Sequence, residues 1–186
     1  MIWNEIVSAV CIGLSTMVFC ISMQMQSKTK LMAIQIISSI FYISSYFFVI
    51  TVTASALSGA IIASVEFLRL IVYYLIEKSK RFNTPNINLM IGIIFSVIVA
   101  ICTALSWAGW ISGLPLIASV IISMALGFQR IVYLKWAFLV NAMLIFVYLL
   151  LMGLWFNASA QFVVMIFIAF SLIKYLIKRK KYVQIV

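Results

Sequence analysis

Seven nearly unbroken apolar stretches, most about twenty residues long, constrain this chain more than any other feature. The backbone N–H and C=O groups of such a stretch find no water inside a hydrocarbon layer. Each stretch must therefore close its hydrogen bonds within itself, as a helix. At about 1.5 Å per residue, twenty residues cross a core about 30 Å thick. The spans run approximately Glu5–Gln24, Leu31–Val52, Ser55–Glu77, Ile87–Ser106, Ser112–Phe128, Val132–Gly153 and Asn157–Ile177. Strands of a membrane barrel would alternate apolar and polar residues, and these runs do not. Hydrophobic residues fill 67% of the 186 positions and charged ones only 9%, more apolar surface than a soluble domain of this size covers. The fold class expected is an all-α integral membrane protein with seven transmembrane helices.

The formal net charge of +10 would suit a nucleic-acid partner if it were spread over one soluble face, but it is not. With seven spans, Lys28 and Lys30, then Lys78, Lys80 and Arg81, then Arg130 and Lys135, and the tail Lys178 to Lys181 all fall on one side of the membrane. The opposite side carries Glu5 and no basic residue. Removing any internal span would divide the clusters between the two sides. The positive-inside rule then gives an external N-terminus and a cytoplasmic C-terminus in a bacterial inner membrane. Trp3, Trp107, Trp110 and Trp155 at the external ends, with Trp136 at a cytoplasmic one, form the expected aromatic belts. Membrane lipids are the expected surroundings, nucleic acid is not an expected partner, and a homo-oligomer is compatible with the pattern.

The third span carries charge at depth. Glu66 and Arg69 are three residues apart and share a helix face. Arg69 lies about 13 Å from Lys78 along the helix, which puts Glu66 near the bilayer centre. A glutamate is too short to reach the headgroups, so the pair is expected to face a bundle interior or a water-filled cavity. It serves either as a structural ion pair or as part of a solute or proton site. In the second span Gln35, Ser38, Tyr42, Ser45 and Tyr46 recur at helical spacing as a polar stripe, and in the sixth Asn141 and Tyr148 share a face. Such residues either glue helices together or line a cavity. The candidate binding residues are Glu66, Arg69, Gln35, Tyr42, Asn141 and Tyr148. Pro115 is expected to kink the fifth span.

A shift of 105 residues lays span one on five, two on six and three on seven without a gap: Gln24 meets Gln129, Lys30 meets Lys135, Glu66 meets Ser171, and Arg69 meets Lys174. Three spans reverse the chain's direction and a lone fourth restores it, so the halves form a parallel repeat. The expected organisation is 1–81 as a first three-helix bundle, 82–110 as a linker helix with its connections, and 111–186 as a second three-helix bundle with a basic tail.

This three-plus-one-plus-three plan resembles the SWEET and PQ-loop sugar transporters and the PnuC-type vitamin-precursor transporters. At the residue level the chain looks most like the YgjV-type bacterial inner-membrane proteins. The likeness rests on the Gln24–Lys30 turn, on Leu114-Pro115 opening span five, and on a polar-x-x-basic pattern in each half. That pattern stands here as Glu66-x-x-Arg69 and Ser171-x-x-Lys174, where the family commonly shows Asn-x-x-Arg. The chain has no Pro-Gln dipeptide, and it lacks the hinge prolines of SWEET proteins and the tryptophan motifs of PnuC-type proteins. The resemblance implies a fold and leaves the substrate open.

The chain has no His and no Asp, which removes aspartyl intramembrane proteases, Ser-His proteases and His-based zinc hydrolases. Cys11, Cys20 and Cys102 sit inside apolar runs, away from any metal-ligand spacing. No cofactor motif is present. The expected function is a small-solute transporter or facilitator acting on a polar solute between the two bundles, not an enzyme. The alternative is a non-transporting membrane assembly subunit or sensor. Reporter fusions after Arg81 and after Lys181 should read cytoplasmic and one after Trp110 external; an external reading at Arg81 would end the seven-span count.

Overall fold

The computed structural model describes residues 2–50, 55–79, 83–105, 110–128, 130–153 and 155–183. Lys80, Arg81, Trp107 and Gln129, which carry part of the topology and repeat argument, lie outside them. The described residues form α1 (Ile2–Met23), α2 (Lys28–Ile50), α3 (Ser55–Lys78), α4 (Pro85–Leu105), a short 3-10 turn Trp110–Ser112, α5 (Gly113–Leu126), α6 (Ile131–Leu151) and α7 (Trp155–Val183), with no strand among them. Among the described residues, α1, α2, α4, α6 and α7 are long and apolar enough to cross a membrane. α3 has 24 residues and carries Glu66, Arg69, Glu77 and Lys78, and α5 has only 14, about 21 Å of helix.

The helix boundaries follow local chemistry. Thr84 precedes α4, and its hydroxyl accepts from the Ile87 N–H at 3.4 Å while its carbonyl accepts from the Asn88 N–H. Pro85 then occupies the first helical position, where a missing N–H is harmless. α6 ends at Gly153, whose φ of +71° lets the chain turn left-handed behind the last turn. At Pro115, where the sequence suggested a kink, the reasoning that applies to Pro85 holds as well. Pro115 lies in the first turn of α5, where no intrahelical bond is lost.

Each helix packs on its neighbours in sequence, and α7 closes back on α1, so the seven form a ring. α2 therefore sits between α1 and α3, and α6 between α5 and α7. Ser15 and Ser38 fasten α1 to α2 reciprocally: each hydroxyl donates to the other's backbone carbonyl, at 3.0 and 2.8 Å. Small side chains at heptad spacing, Ser8, Ser15 and Ser22, are all buried and let α1 come close.

Polarity is inverted relative to a soluble bundle. Large apolar side chains such as Ile94, Val97 and Ile101 on α4 and Phe162, Ile166 and Phe170 on α7 are exposed, whereas Lys28, Arg69, Lys135, Gln35 and Asn88 are buried. The apolar core is also lopsided. It gathers where α1, α3, α5 and α7 end and α2 and α6 begin, around Met23, Leu31, Tyr73, Leu126, Leu134 and Leu172. This is the end marked by the basic residues. Toward the opposite end the buried positions among the described residues are smaller, among them Ser8, Ser45, Ala63, Ala118 and Ala158, with Val99 and Thr103 on α4.

Two polar clasps close the basic end. Lys28 Nζ on α2 donates to Glu77 Oε2 on α3 at 2.9 Å, and Asn83 also reaches that carboxylate. Lys135 Nζ on α6 donates to Ser171 Oγ on α7 at 2.7 Å, and that hydroxyl donates to the Met23 carbonyl on α1. Lys28 is 5% and Glu77 19% exposed in their side chains. Removing either partner strands a buried charge. Lys28→Met should lower stability by about 3 kcal/mol, and Lys28→Met with Glu77→Met should recover most of it. Thermal denaturation in detergent reads both, and a double variant as unstable as the single would show that the clasp is not a unit.

Candidate functional site

The inward faces of α2 and α3 can be read from what they bury. On α2 the buried Leu31, Gln35, Ser38 and Ser45 define one face, and Tyr42 lies in its middle, seven residues from Gln35 and three from Ser45. On α3 the buried Ala63, Leu70 and Tyr73 define another, and Glu66 lies in its middle. Both central residues nevertheless remain accessible, Tyr42 at 40% and the Glu66 side chain at 37%. A residue that points inward and stays open lines a crevice.

The walls of that crevice come from three helices. Tyr42 and Tyr46 are one turn apart on α2; their hydroxyls are 3.0 Å apart and their rings meet edge to face, with centroids at 5.2 Å. Glu66 on α3 and Tyr148 on α6 both lie within electrostatic reach of Tyr42 and Tyr46. α2 and α6 are not neighbours in the ring, so their approach is across its interior.

Arg69 does something different from its partner. Its Nη1 donates to Ser123 Oγ at 2.7 Å, to the Ser119 carbonyl at 3.0 Å and to Ser119 Oγ at 3.2 Å, all on α5. Its side chain is 4% exposed, and Nη2 stands 3.6 Å from Glu66 Oε1. Ser119 Oγ donates to the same carboxylate oxygen at 3.1 Å. One turn further along α3, the Tyr73 hydroxyl reaches the Asn88 carbonyl at 3.0 Å and the Ser123 carbonyl at 3.1 Å. α4 can approach this seam because position 92 is glycine. A Cβ there would stand 3.1 Å from both the Ser123 carbonyl and the Tyr73 hydroxyl.

Of the six candidate residues, Glu66 and Tyr148 lie within electrostatic reach of Tyr42, and Glu66 adjoins Arg69. Arg69 itself is turned toward α5, away from the polar stripe of α2 that the sequence led one to expect. Gln35 is 1% exposed, on the same face as Tyr42 and about 10 Å nearer the basic end. Asn141 is half-buried on α6, seven residues before Tyr148. Tyr46, noted in the stripe, belongs with the crevice. The residues missed entirely are Ser119 and Ser123. Their only signal is i, i+4 spacing of hydroxyls on a short apolar helix, the same spacing that small packing residues show. Comparison with family models, with curated proteins and with solved structures finds no match.

The two members of the charged pair should respond differently to substitution. Arg69→Met removes the side chain that joins α3 to α5 and should cost about 3 kcal/mol. Glu66→Gln, one-third exposed and still able to accept from Ser119, should cost about 1 kcal/mol or less. Unfolding midpoints of the two variants check this, and equal losses would return the pair to a single structural unit.

Proposed function

We propose that the chain is a multi-pass permease or facilitator for a small polar solute, with Tyr42, Glu66 and Tyr148 at its binding site and Gln35 and Asn141 nearby. One observation carries this reading: two residues at the centres of inward helix faces, Tyr42 and Glu66, stay accessible in an otherwise apolar bundle. Packing alone supplies no reason to keep a carboxylate open there, since an intramembrane charge is expensive. The lopsided core supports the same reading. The bundle is tightly filled at the basic end and lined with small residues toward the other, as a one-sided crevice requires.

In this reading all seven helices span. The charges of α3 are satisfied inside the ring, and the 3-10 turn extends the short α5. The shared order of the halves, α2 between α1 and α3 and α6 between α5 and α7, supports the parallel three-plus-one-plus-three repeat over 1–81, 82–110 and 111–186. The basic end is then cytoplasmic and the membrane a bacterial inner one, with the crevice opening outward. The rival reading, a non-transporting assembly subunit or sensor, draws on Arg69, whose hydrogen bonds tie α3 to α5 as a structural brace would.

A thermal-shift screen of purified protein against sugars, nucleosides, amines and vitamin precursors, followed by uptake into proteoliposomes, tests the proposal. A bound solute stabilises the folded state in proportion to its occupancy. At least one solute should raise the midpoint and enter the vesicles, and Tyr42→Leu should abolish both effects. No response across a broad library would favour the subunit or sensor.

A further inference from the structure

The chemistry of the crevice wall narrows the solute further, given the permease reading on which this step rests. We propose that the crevice takes a small organic cation, an ammonium or alkylammonium group held by Glu66 and faced by the rings of Tyr42 and Tyr46.

The rings supply the first argument. Tyr42 and Tyr46 stand at 83° to each other with centroids 5.2 Å apart, and so form the corner of a box. One of their hydroxyls donates to the other, and the ring faces turned away from this contact are what the pair can offer a cation. Aromatic faces attract a cation placed within about 6 Å, more strongly once it is desolvated.

Charge supplies the second. Among the described residues the cations buried in the bundle are Lys28, Arg69 and Lys135. Lys28 is paired with Glu77 and Lys135 is bound to Ser171, both at the basic end. Arg69 spends its close hydrogen bonds on Ser119 and Ser123. Its longer contact and that of Ser119 both fall on Glu66 Oε1, so among the described residues Oε2 has no partner. Arg69 keeps one unpartnered donor, Nε, but it is buried and the side chain is only 4% exposed, whereas the Glu66 carboxylate beside it is 37% exposed, so the charge a solute can reach is negative.

Gln35 is the third and independent observation. It is 1% exposed, and neither its Nε2 nor its Oε1 has a hydrogen-bond partner. A buried amide left unmade on both atoms is costly. It lies two turns inward of Tyr42 on the same face of α2. The amide oxygen suits an N–H or O–H donor carried by the cation, and the amide N–H suits an oxygen on its tail.

Choline and its uncharged isostere 3,3-dimethyl-1-butanol make the deciding pair, with tetramethylammonium and ethanolamine as size probes, on the full-length protein in detergent. Choline or one of the two smaller cations should raise the unfolding midpoint and bind in calorimetry, and the isostere should not. Glu66→Gln should weaken binding at least tenfold. Tyr42→Leu should do likewise, while Tyr42→Phe, which keeps the ring, should retain binding within a few-fold. That split separates a ring–cation contact from a loss of folding. Equal binding of the isostere, or binding unchanged in Glu66→Gln, overturns the inference. A sugar or nucleoside that stabilises the protein while every cation fails also overturns it, yet leaves the permease reading standing. Failure of all solutes, charged and neutral, removes both.

Discussion

Hydrogen bonds and ion pairs between buried polar groups of different helices hold this bundle together, because an apolar exterior offers those groups nothing, and the rest of the architecture depends on them. Each seam between distant parts of the chain carries such a contact. Ser15 meets Ser38 between α1 and α2, Lys28 meets Glu77 between α2 and α3, and Arg69 meets Ser123 between α3 and α5. Lys135 and Ser171 then bring α6 and α7 onto α1. The hydrophobic effect drives the chain into the membrane but barely distinguishes one helix partner from another there, since lipid tails are as apolar as leucine. Hydrogen bonds and close packing of small residues are left to choose the partners.

The same logic accounts for the difference between the two ends of the ring. At the basic end large side chains interlock around Met23, Leu134 and Leu172, and two polar clasps lie beside them. Toward the other end, alanines and serines replace them at buried positions. Small residues let backbones converge where helices touch and leave space where helices diverge, so a large wall residue such as Tyr42 can point inward and still be reached. Accessibility at a central position is therefore a property of the whole ring, not of Tyr42 itself.

Much of this was legible in the sequence, and the rest had physical reasons to stay hidden. Continuous apolar runs leave the backbone a single way to satisfy itself, so the helices and their approximate ends could be read directly. Glu66 was legible because a carboxylate at that depth must face inward. Arg69 was misdirected: its sequence neighbour Glu66 and the polar stripe of α2 suggested one destination, whereas its five-donor guanidinium found hydroxyls and a carbonyl on α5. Nothing local marks Ser119 and Ser123 as its partners. Lys28 and Lys135 read as topology markers at a membrane surface, yet each is buried and bound within the ring. A lysine near a helix start has a side chain long enough to turn inward, and sequence alone does not say which way it turns.

The two polar-x-x-basic segments, Glu66 to Arg69 and Ser171 to Lys174, share a pattern without sharing its use. In the first half the polar member, Glu66, is accessible and the basic member, Arg69, is buried and committed to α5. In the second half the roles exchange: Ser171 is buried between Lys135 and the Met23 carbonyl, while Lys174 is exposed. The half that keeps its basic residue inside thereby supports a carboxylate beside it. The half that turns its basic residue outward retains only a hydroxyl, fully occupied in holding α7 to α1. A symmetric pair of sites would need two accessible acids. Only Glu66 meets that description among the described residues of the two motifs, so the charge open to the interior there is asymmetric between them.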